Sequence, residues 1–353
     1  MAKVLMKGNE AIAEAAVTAG CTCFFGYPIT PQNQIPEYMS KRLPEVGGTF
    51  VQAESEIGAI NMVYGAAGAG ARVMTSSSSP GISLKQEGIS YIACAELPCV
   101  IVNMVRSGPG LGGILPSQGD YFQAVKGGGH GDYKLITLAP SSVQEAVDLV
   151  MLGFDLADQY RNPVMILGDG MIGQMMEPAE FSAYKKRDLP PKDWAVRGRK
   201  DKTKPPKLIN SLFIEPEEMS AQTARMQKKY ADIAKNETLV EEYMMEDAQY
   251  VIAAFGTTAR VAKSAAQMAR KEGLKVGVIR PITLWPFPSE TFAKAAKKVR
   301  GILTVEMNTG QMVEDVRLAV SGRVPVEFYG TVGGFVPEQK EIVKHIRAMK
   351  EGK

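Results

Sequence analysis

The 353-residue sequence predicts an α/β protein made of two successive sheet units. Three observations carry that expectation. Short apolar runs alternate with turns of Gly, Pro, Ser or Thr and then with helical patterns of small or amphipathic residues, the order of a parallel sheet with helical crossovers. The composition, 45% hydrophobic and 22% charged, can bury at least one full core, and at about 150 residues per domain it suggests two. Between the two alternating stretches lies a segment rich in Lys, Arg and Pro.

Taken in order, the chain enters a strand-like run at Lys3 to Met6, with no secretory pattern before it. Strands are then expected at Thr22 to Phe25, Thr49 to Gln52, Arg72 to Thr75, Val100 to Val105, Lys134 to Leu138 and Val164 to Leu167. Because crossovers between parallel strands are right-handed, the turns after these strands open on one edge of the sheet. That edge collects Tyr27-Pro28-Ile29-Thr30-Pro31, then Glu54 and Glu56, then Ser76 to Gly81, then Arg106 to Gly113. Ligands of α/β sheets bind at such an edge.

Composition shifts after Met176. Tyr184 to Lys207 is basic and Pro-rich, with Lys200, Lys202, Lys204 and Lys207 read as a solvated linker, and Pro216 to Tyr243 reads as a charged helical segment. The expected division is therefore 1–183, a connector over 184–247, and a second unit over 248–353. That unit should hold strands at Tyr250 to Phe255, Lys275 to Ile279, Ile302 to Val305 and Val324 to Tyr329. Helices around Ala259 to Glu272, Ser289 to Val299 and Gly310 to Val320 alternate with them. Ile282 to Pro288 holds two prolines and reads as a fixed loop leaving a strand.

Several function classes fall away on composition. A net charge of +3 is too small to argue for nucleic acid. No stretch approaches the roughly 18 consecutive apolar residues of a membrane span, so no membrane is expected and the cytoplasm is the expected location. Cys21, Cys23, Cys94 and Cys99 lie in apolar segments, at spacings that suit buried reduced thiols and match no iron–sulfur run. With only His130 and His345, a His-based triad or zinc cluster is not expected, and no metal site is assigned to this chain.

The stretch Gln52 to Gly58 concentrates the chemistry. Thr49 to Val51 forms the end of an apolar strand, Ser55 can cap the helix that follows, and Glu56 falls in its first turn, where free N–H groups and the helix dipole favour a negative charge. Pattern alone does not separate Glu56 from Glu54. Arg106 ends a strand just before a Gly-rich turn, where its guanidinium can grip a planar carboxylate with two hydrogen bonds or form a rim salt bridge. Thr30, restrained by Pro31, offers a fixed hydroxyl that either meets a ligand or steadies the turn. Thr75 to Pro80, a run of serines ending in Pro-Gly, either binds a ligand through its hydroxyls or builds a turn. His130 either touches a ligand or orders its glycine-rich loop, and His345 reads as a solvated surface residue.

Two motif matches mislead. Gly108 to Gly113 satisfies GxGxxG after a strand, but it carries a Pro and leads toward Pro116 rather than into a helix. Gly168-Asp169-Gly170 looks like the opening of the motif that holds magnesium diphosphate in thiamine enzymes, yet the stretch Trp194 to Lys204 lacks the Asn that should complete it.

With these residues in view, the chain resembles the alpha subunit of 2-oxoacid:ferredoxin oxidoreductases. The resemblance runs through Gly26 to Pro31, Ser55-Glu56-x-Gly58-Ala59, Thr75 to Gly81 and Asn103 to Gly113. It continues through Arg280 to Pro288 and Glu306-x-Asn308-x-Gly310-Gln311, and so covers nearly the whole chain. Met6 to Glu10, Ser76 to Pro80 and Lys126 to Tyr133 look most like the branched-chain subtype, which acts on 3-methyl-2-oxobutanoate; 2-oxoglutarate and pyruvate are the alternative substrates.

The resemblance implies a pyrimidine-type thiamine-diphosphate-binding sheet domain followed by a transketolase C-terminal-like α/β domain. It implies that Glu56 hydrogen-bonds the aminopyrimidine ring, that Tyr27, Pro28, Ile29 and Ser79 help hold the cofactor, and that Thr30 and Arg106 hold the 2-oxoacid carboxylate. Thiamine diphosphate would be shared with a beta subunit carrying Mg2+ and a [4Fe-4S] cluster, with gamma and ferredoxin-like delta subunits completing the assembly. Coenzyme A would take the acyl group and ferredoxin the electrons. Two other readings compete: a standalone nucleotide-binding protein using Gly108 to Gly113, and a non-catalytic assembly subunit.

Overall fold

The structure, a computed structural model, describes residues 3–199, 203 and 205–352. Lys200, Lys202 and Lys204 of the basic run lie outside the described residues. The chain begins β1 (Val4–Lys7), α1 (Gly8–Thr18), β2 (Cys23–Gly26), α2 (Gln34–Glu45), β3 (Thr49–Gln52), α3 (Glu56–Gly68), β4 (Val73–Ser77) and α4 (Ser79–Cys94). It continues through β5 (Cys99–Val105), α5 (Tyr121–Val125), β6 (Ile136–Leu138), α6 (Val143–Tyr160), β7 (Pro163–Asp169), α7 (Gly170–Gln174) and β8 (Met176–Ala179). Next come α8 (Pro216–Asn236), β9 (Val240–Tyr243), β10 (Tyr250–Ala253), α9 (Gly256–Lys271), β11 (Val276–Pro281) and β12 (Thr283–Trp285). The last elements are α10 (Ser289–Ala295), β13 (Gly301–Glu306), α11 (Met312–Val320), β14 (Val326–Gly330) and α12 (Gln339–Glu351).

The six strands expected from Thr22 to Leu167 all join one sheet, ordered β12-β6-β7-β5-β4-β2-β3, in which β2 to β7 are all parallel. Its central strands β5 and β7 are buried along their full length, because helices cover both faces and alternation has no solvent side to serve. Small residues let those helices approach closely: a Cβ on Gly88 of α4 would sit 2.5 Å from Ile60 of α3. The second sheet runs β14-β13-β10-β11-β9. It packs on α9, whose Ala262, Ala265, Ala266 and Ala269 make a buried stripe at helical spacing.

Three expectations need correction. The helix expected to reach Tyr243 stops at Asn236, and Val240–Tyr243 pairs antiparallel with β11, where Glu241 meets Arg280 and Lys263. Thr283–Trp285 is a short strand rather than a loop, paired antiparallel with β6, so the second unit closes an edge of the first sheet. His345 is half-buried and stacked on Tyr329, with ring centroids 4.7 Å apart, not a solvated residue. The amino-terminal strand, Val4–Lys7, pairs with β8 outside both main sheets.

The units are joined by polar contacts as well as apolar packing. Gln118, buried, donates from Nε2 to the Phe255 carbonyl at 2.8 Å and accepts from Met307 N at 2.9 Å. Arg280 donates to both Glu145 oxygens, at 2.9 and 2.7 Å, and to Glu241 at 2.7 Å. The Tyr121 hydroxyl donates to Asp315 at 2.6 Å. Among the described residues no helix is long and apolar enough to cross a membrane. All four cysteines are free, and burial pushes the Cys21 and Cys99 thiols up to about 12.

Candidate active site at the sheet edge

The carboxyl ends of β3, β2, β4 and β5 lie side by side, and the turns leaving them carry the residues singled out from the sequence. On β3, the chain turns into α3 through Ser55, whose hydroxyl accepts from Gly58 N at 3.1 Å. That cap fixes the first turn and separates the two acids. Glu54 stays exposed, accepting from the Ser55 hydroxyl at 3.1 Å, while Glu56 turns inward and is only 6% exposed. No donor among the described residues hydrogen-bonds the Glu56 carboxylate, which leaves its oxygens to solvent or to a ligand.

The floor beneath Glu56 comes from β4 and α4. Gly81 has no room for a side chain, since a Cβ there would lie 2.1 Å from Ser77 Oγ and 2.6 Å from Glu56 Oε1. The Ser77 and Ser78 hydroxyls are buried without partners. One turn further along α4, Lys85 is fully buried; its Nζ donates to Thr75 Oγ1 at 2.6 Å and to the Ser76 carbonyl at 3.1 Å.

Arg106 and Thr30 come together. The Arg106 guanidinium, 8% exposed, donates to the Thr30 carbonyl at 3.0 Å and to the Leu111 carbonyl at 2.8 Å, and its Nε has no partner. No acidic residue pairs with it among the described residues, so the rim salt bridge is absent there and its positive charge faces the site uncompensated. Ser79 bonds the same residue through its backbone: Arg106 N donates to Ser79 Oγ at 3.1 Å. The Thr30 hydroxyl accepts from Asn33 at 3.5 Å, a long contact that leaves it available to a ligand.

Arg106 and Ser79 line a cleft of about 540 Å³ between the two units, with Asp120 on their side and Asn308 and Gln311 opposite. Burial pushes the Asp120 carboxyl up from its usual value, against hydrogen bonds from Asn103 and Ser79 that hold it down. Glu56 lies outside this cleft's lining, behind Ser77 and Gly81. Tyr27, Pro28 and Ile29 form the neighbouring loop after β2, with Pro28 exposed and the Tyr27 carbonyl accepting from Gln32 at 3.3 Å.

Sequence reading missed Lys85, Gln32, Asn9 and Asp120. Lys85 falls four residues after Gly81, on the buried stripe that also holds Ile82 and Ile89, and a lone lysine at that spacing is its signal. Asn9 and Gln32 are fully buried; Asn9 donates to the Pro31 carbonyl at 2.8 Å and so braces the Thr30 turn from α1.

The misleading motifs find other uses. Gly108 to Gly113 forms an exposed loop closed by Gly113 N donating to the Ser107 carbonyl at 2.8 Å, with no helix to receive a phosphate. Asp169 caps α7, accepting from Met171 N at 2.9 Å and Ile172 N at 3.1 Å, and it also reaches Thr257 of the second unit. His130 faces away from the cleft, its carbonyl held by the Ser90 hydroxyl and its ring edge-on to Tyr91.

Comparisons with known proteins give the family and the fold. The family described as "Pyruvate flavodoxin/ferredoxin oxidoreductase, thiamine diP-bdg" matches residues 14–245, and "Pyruvate:ferredoxin oxidoreductase core domain II" matches residues 248–342. The chain is 52% identical to the ketoisovalerate oxidoreductase subunit VorB of Methanothermobacter marburgensis, covering 98% of each. It is 37% identical to the 2-oxoglutarate synthase subunit KorA of Methanothermobacter thermautotrophicus, again over 98% of each. The subunit letters differ between these relatives, so the letter itself does not transfer.

Among solved structures, the 2-oxoglutarate:ferredoxin oxidoreductase of Magnetococcus marinus, bound to 2-oxoglutarate, coenzyme A and succinyl-CoA, superposes with a TM-score of 0.88 at 27% identity. The match covers 98% of this chain and 65% of that one, so the present chain spans under two thirds of it. A split-gene transketolase superposes over 98% of both chains with a TM-score of 0.60 at 14% identity, a likeness of fold alone. The chain thus belongs to the pyruvate flavodoxin/ferredoxin oxidoreductase family, as an oxidoreductase subunit that carries the thiamine-diphosphate-binding domain and core domain II.

Proposed function

We propose that this chain supplies the aminopyrimidine half of a thiamine diphosphate site in a multi-subunit, coenzyme A-dependent 2-oxoacid:ferredoxin oxidoreductase acting on 3-methyl-2-oxobutanoate. The observation that carries the reading is Glu56, a buried carboxylate without a donor among the described residues, set at the carboxyl edge of the sheet within the stretch that matches the thiamine-diphosphate-binding family. The residues fit the group. Unpartnered hydroxyls of Ser77 and Ser78 and the bare Cα of Gly81 make a polar wall beside that carboxylate.

In this reading Tyr27, Pro28, Ile29 and Ser79 hold the cofactor, and Glu56 shares a proton between its carboxyl oxygen and the pyrimidine ring. Burial strengthens that hydrogen bond. When bound, the cofactor supplies a nucleophilic carbon and a sink for the electrons released on decarboxylation. Arg106 grips the substrate carboxylate through its open Nε edge, with the Thr30 hydroxyl as a second donor. Two carbonyls hold the guanidinium in place before substrate arrives, so little ordering is left to do on binding.

Substrate choice follows from the cleft's charges. Among the described residues Arg106 is the only cation lining it, and Asp120 brings an acid. A second substrate carboxylate, as in 2-oxoglutarate, would find no cation there, whereas a branched alkyl group needs none. The 52% identity to a ketoisovalerate oxidoreductase subunit, against 37% to a 2-oxoglutarate synthase subunit, supports the same choice.

The remaining parts belong to partners: a beta subunit with the diphosphate half, Mg2+ and a [4Fe-4S] cluster, together with gamma and ferredoxin-like delta subunits. Support comes from Asp169, whose carboxylate is spent on capping α7. Ferredoxin takes the electrons in the cytoplasm, with neither nucleic acid nor membrane involved, and 1–183, 184–247 and 248–353 are the working divisions of the chain. The test is anaerobic co-purification of the tagged chain, then dye reduction with coenzyme A and a panel of 2-oxoacids. Brown partner chains and the highest kcat/KM on 3-methyl-2-oxobutanoate are expected. Preference for 2-oxoglutarate or pyruvate overturns the substrate, and a colourless solitary chain overturns the assembly.

A further inference from the structure

Lys85 is the buried charged group that the proposed reaction leaves unexplained. It sits on α4, which packs between α3 on one side and β5 and β7 of the sheet. From β4 it meets the Thr75 hydroxyl and the Ser76 carbonyl, and from α3 it feels Glu56; no other charged side chain among the described residues bears on it. Among the described residues it forms no ion pair, and its two acceptors satisfy two of the three donors of an ammonium. Burying a cation without a contact anion is expensive, and Met or Leu would fill such a place at lower cost.

The same lysine is wired to the cofactor loop. The Ser76 residue whose carbonyl it binds donates its own hydroxyl to Gln32, and Gln32 donates to the Tyr27 carbonyl. Through this chain the lysine is joined to the turn that presents Tyr27 to Ile29.

We propose that Lys85 is a positioning residue of the active site: its ammonium, held on Thr75 and Ser76, locks the β4 turn beneath Glu56 against the cofactor loop. This rests on the reading of Glu56 given above. Burial pushes Lys85 down to about 7, with the Glu56 charge pulling it back up, so the ammonium titrates near neutrality.

The test uses the full chain with 13C-labelled lysine side chains, titrated by NMR, and the reconstituted complex for kinetics. One lysine signal, absent in K85M, should titrate near neutrality while the rest stay charged until roughly pH 10. In E56Q that midpoint should fall by about 1 pH unit, the effect of losing one nearby opposite charge. In the complex, K85M should lose the alkaline limb of the kcat profile and keep its KM for the 2-oxoacid within about twofold, as for a loss felt only in the transition state.

K85R, always charged, should keep activity at high pH better than wild type if it folds. If no lysine below about pH 9 disappears in K85M, or the midpoint ignores E56Q, the proposal falls. The two readings separate cleanly. E56Q without turnover but with an unmoved Lys85 midpoint removes only the role of Lys85, whereas E56Q with normal turnover removes the reading of Glu56 beneath it.

Discussion

Gly81 and Glu56 share one space: the position of a Cβ on Gly81 lies 2.6 Å from Glu56 Oε1, although the two residues are on different helices. A methyl group there must push aside both the carboxylate and the Ser77 hydroxyl, 2.1 Å away. Gly81→Ala is expected to cost about 1–3 kcal/mol of stability, as overpacking does in a tight site. Activity should fall further, about 10²-fold, because a displacement near 1 Å at a reacting group has that effect. Urea unfolding of the chain alongside turnover of the complex separates the two losses; equal, small effects on both count against Glu56 as the group being displaced.

Arg106 should control substrate capture. Removing a charged hydrogen bond costs about 1.5–3 kcal/mol, so Arg106→Ala should lower kcat/KM for the 2-oxoacid by roughly 10- to 100-fold, mostly through KM. Arg106→Lys should recover only part of it, since an ammonium cannot reproduce the bonds to the Thr30 and Leu111 carbonyls together with a planar grip on the substrate. Steady-state kinetics on the reconstituted complex decides this, and an unchanged KM in both variants contradicts the assignment.

The seam between the units should respond to acid. Burial pushes the Glu241 carboxyl up, but hydrogen bonds from Lys263 and Arg280 outweigh it and hold the group below its ordinary value of 4.5. A carboxylate with a depressed value contributes stability that is complete above the unfolded value and is lost as pH falls through the folded one. Arg280→Met, which leaves Glu145 and Glu241 without their shared partner, should cost about 3 kcal/mol near neutral pH and much less at low pH. Thermal unfolding of both proteins across the acid range measures it; a difference that does not shrink with acid denies the link.

Asp169 is expected to behave as a cap rather than a metal ligand. Asp169→Ala should lower stability by about 1–2 kcal/mol, the usual cost of losing an N-cap, and leave the Mg2+ dependence of the assembled enzyme unchanged. A raised Mg2+ requirement in activity titrations would return the metal to this chain.

The strand pattern was legible because each central strand is buried on both faces and so reads as an unbroken apolar run, as at Val100 to Val105. Right-handed crossovers then brought Thr30, Glu56, Ser79 and Arg106 to one edge without any coordinates. What could not be read were features fixed by distant partners. Val240–Tyr243 carries Glu241 and Glu242, which suit a helix, but β11 and Arg280 draw it into the sheet. Thr283–Trp285 is flanked by prolines and becomes a strand only because β6 offers an open edge. Glu54 and Glu56 are separated by the Ser55 cap, which turns one outward and the other inward. Lys85 was hidden because lysine is ordinarily a surface residue, and only its helical register with Gly81 and Ile89 hints at burial.

The most direct measurement is the turnover of the reconstituted complex carrying Glu56→Gln, made with assembly and cofactor content checked on the same sample. Glutamine keeps the shape but cannot share a proton with the pyrimidine ring. If Glu56 has the role proposed, the complex should assemble, and turnover should fall by about 10²- to 10⁴-fold, the range expected for a lost acid–base group. Near-normal turnover in a fully assembled, cofactor-loaded E56Q complex would contradict the account and leave this chain a structural partner.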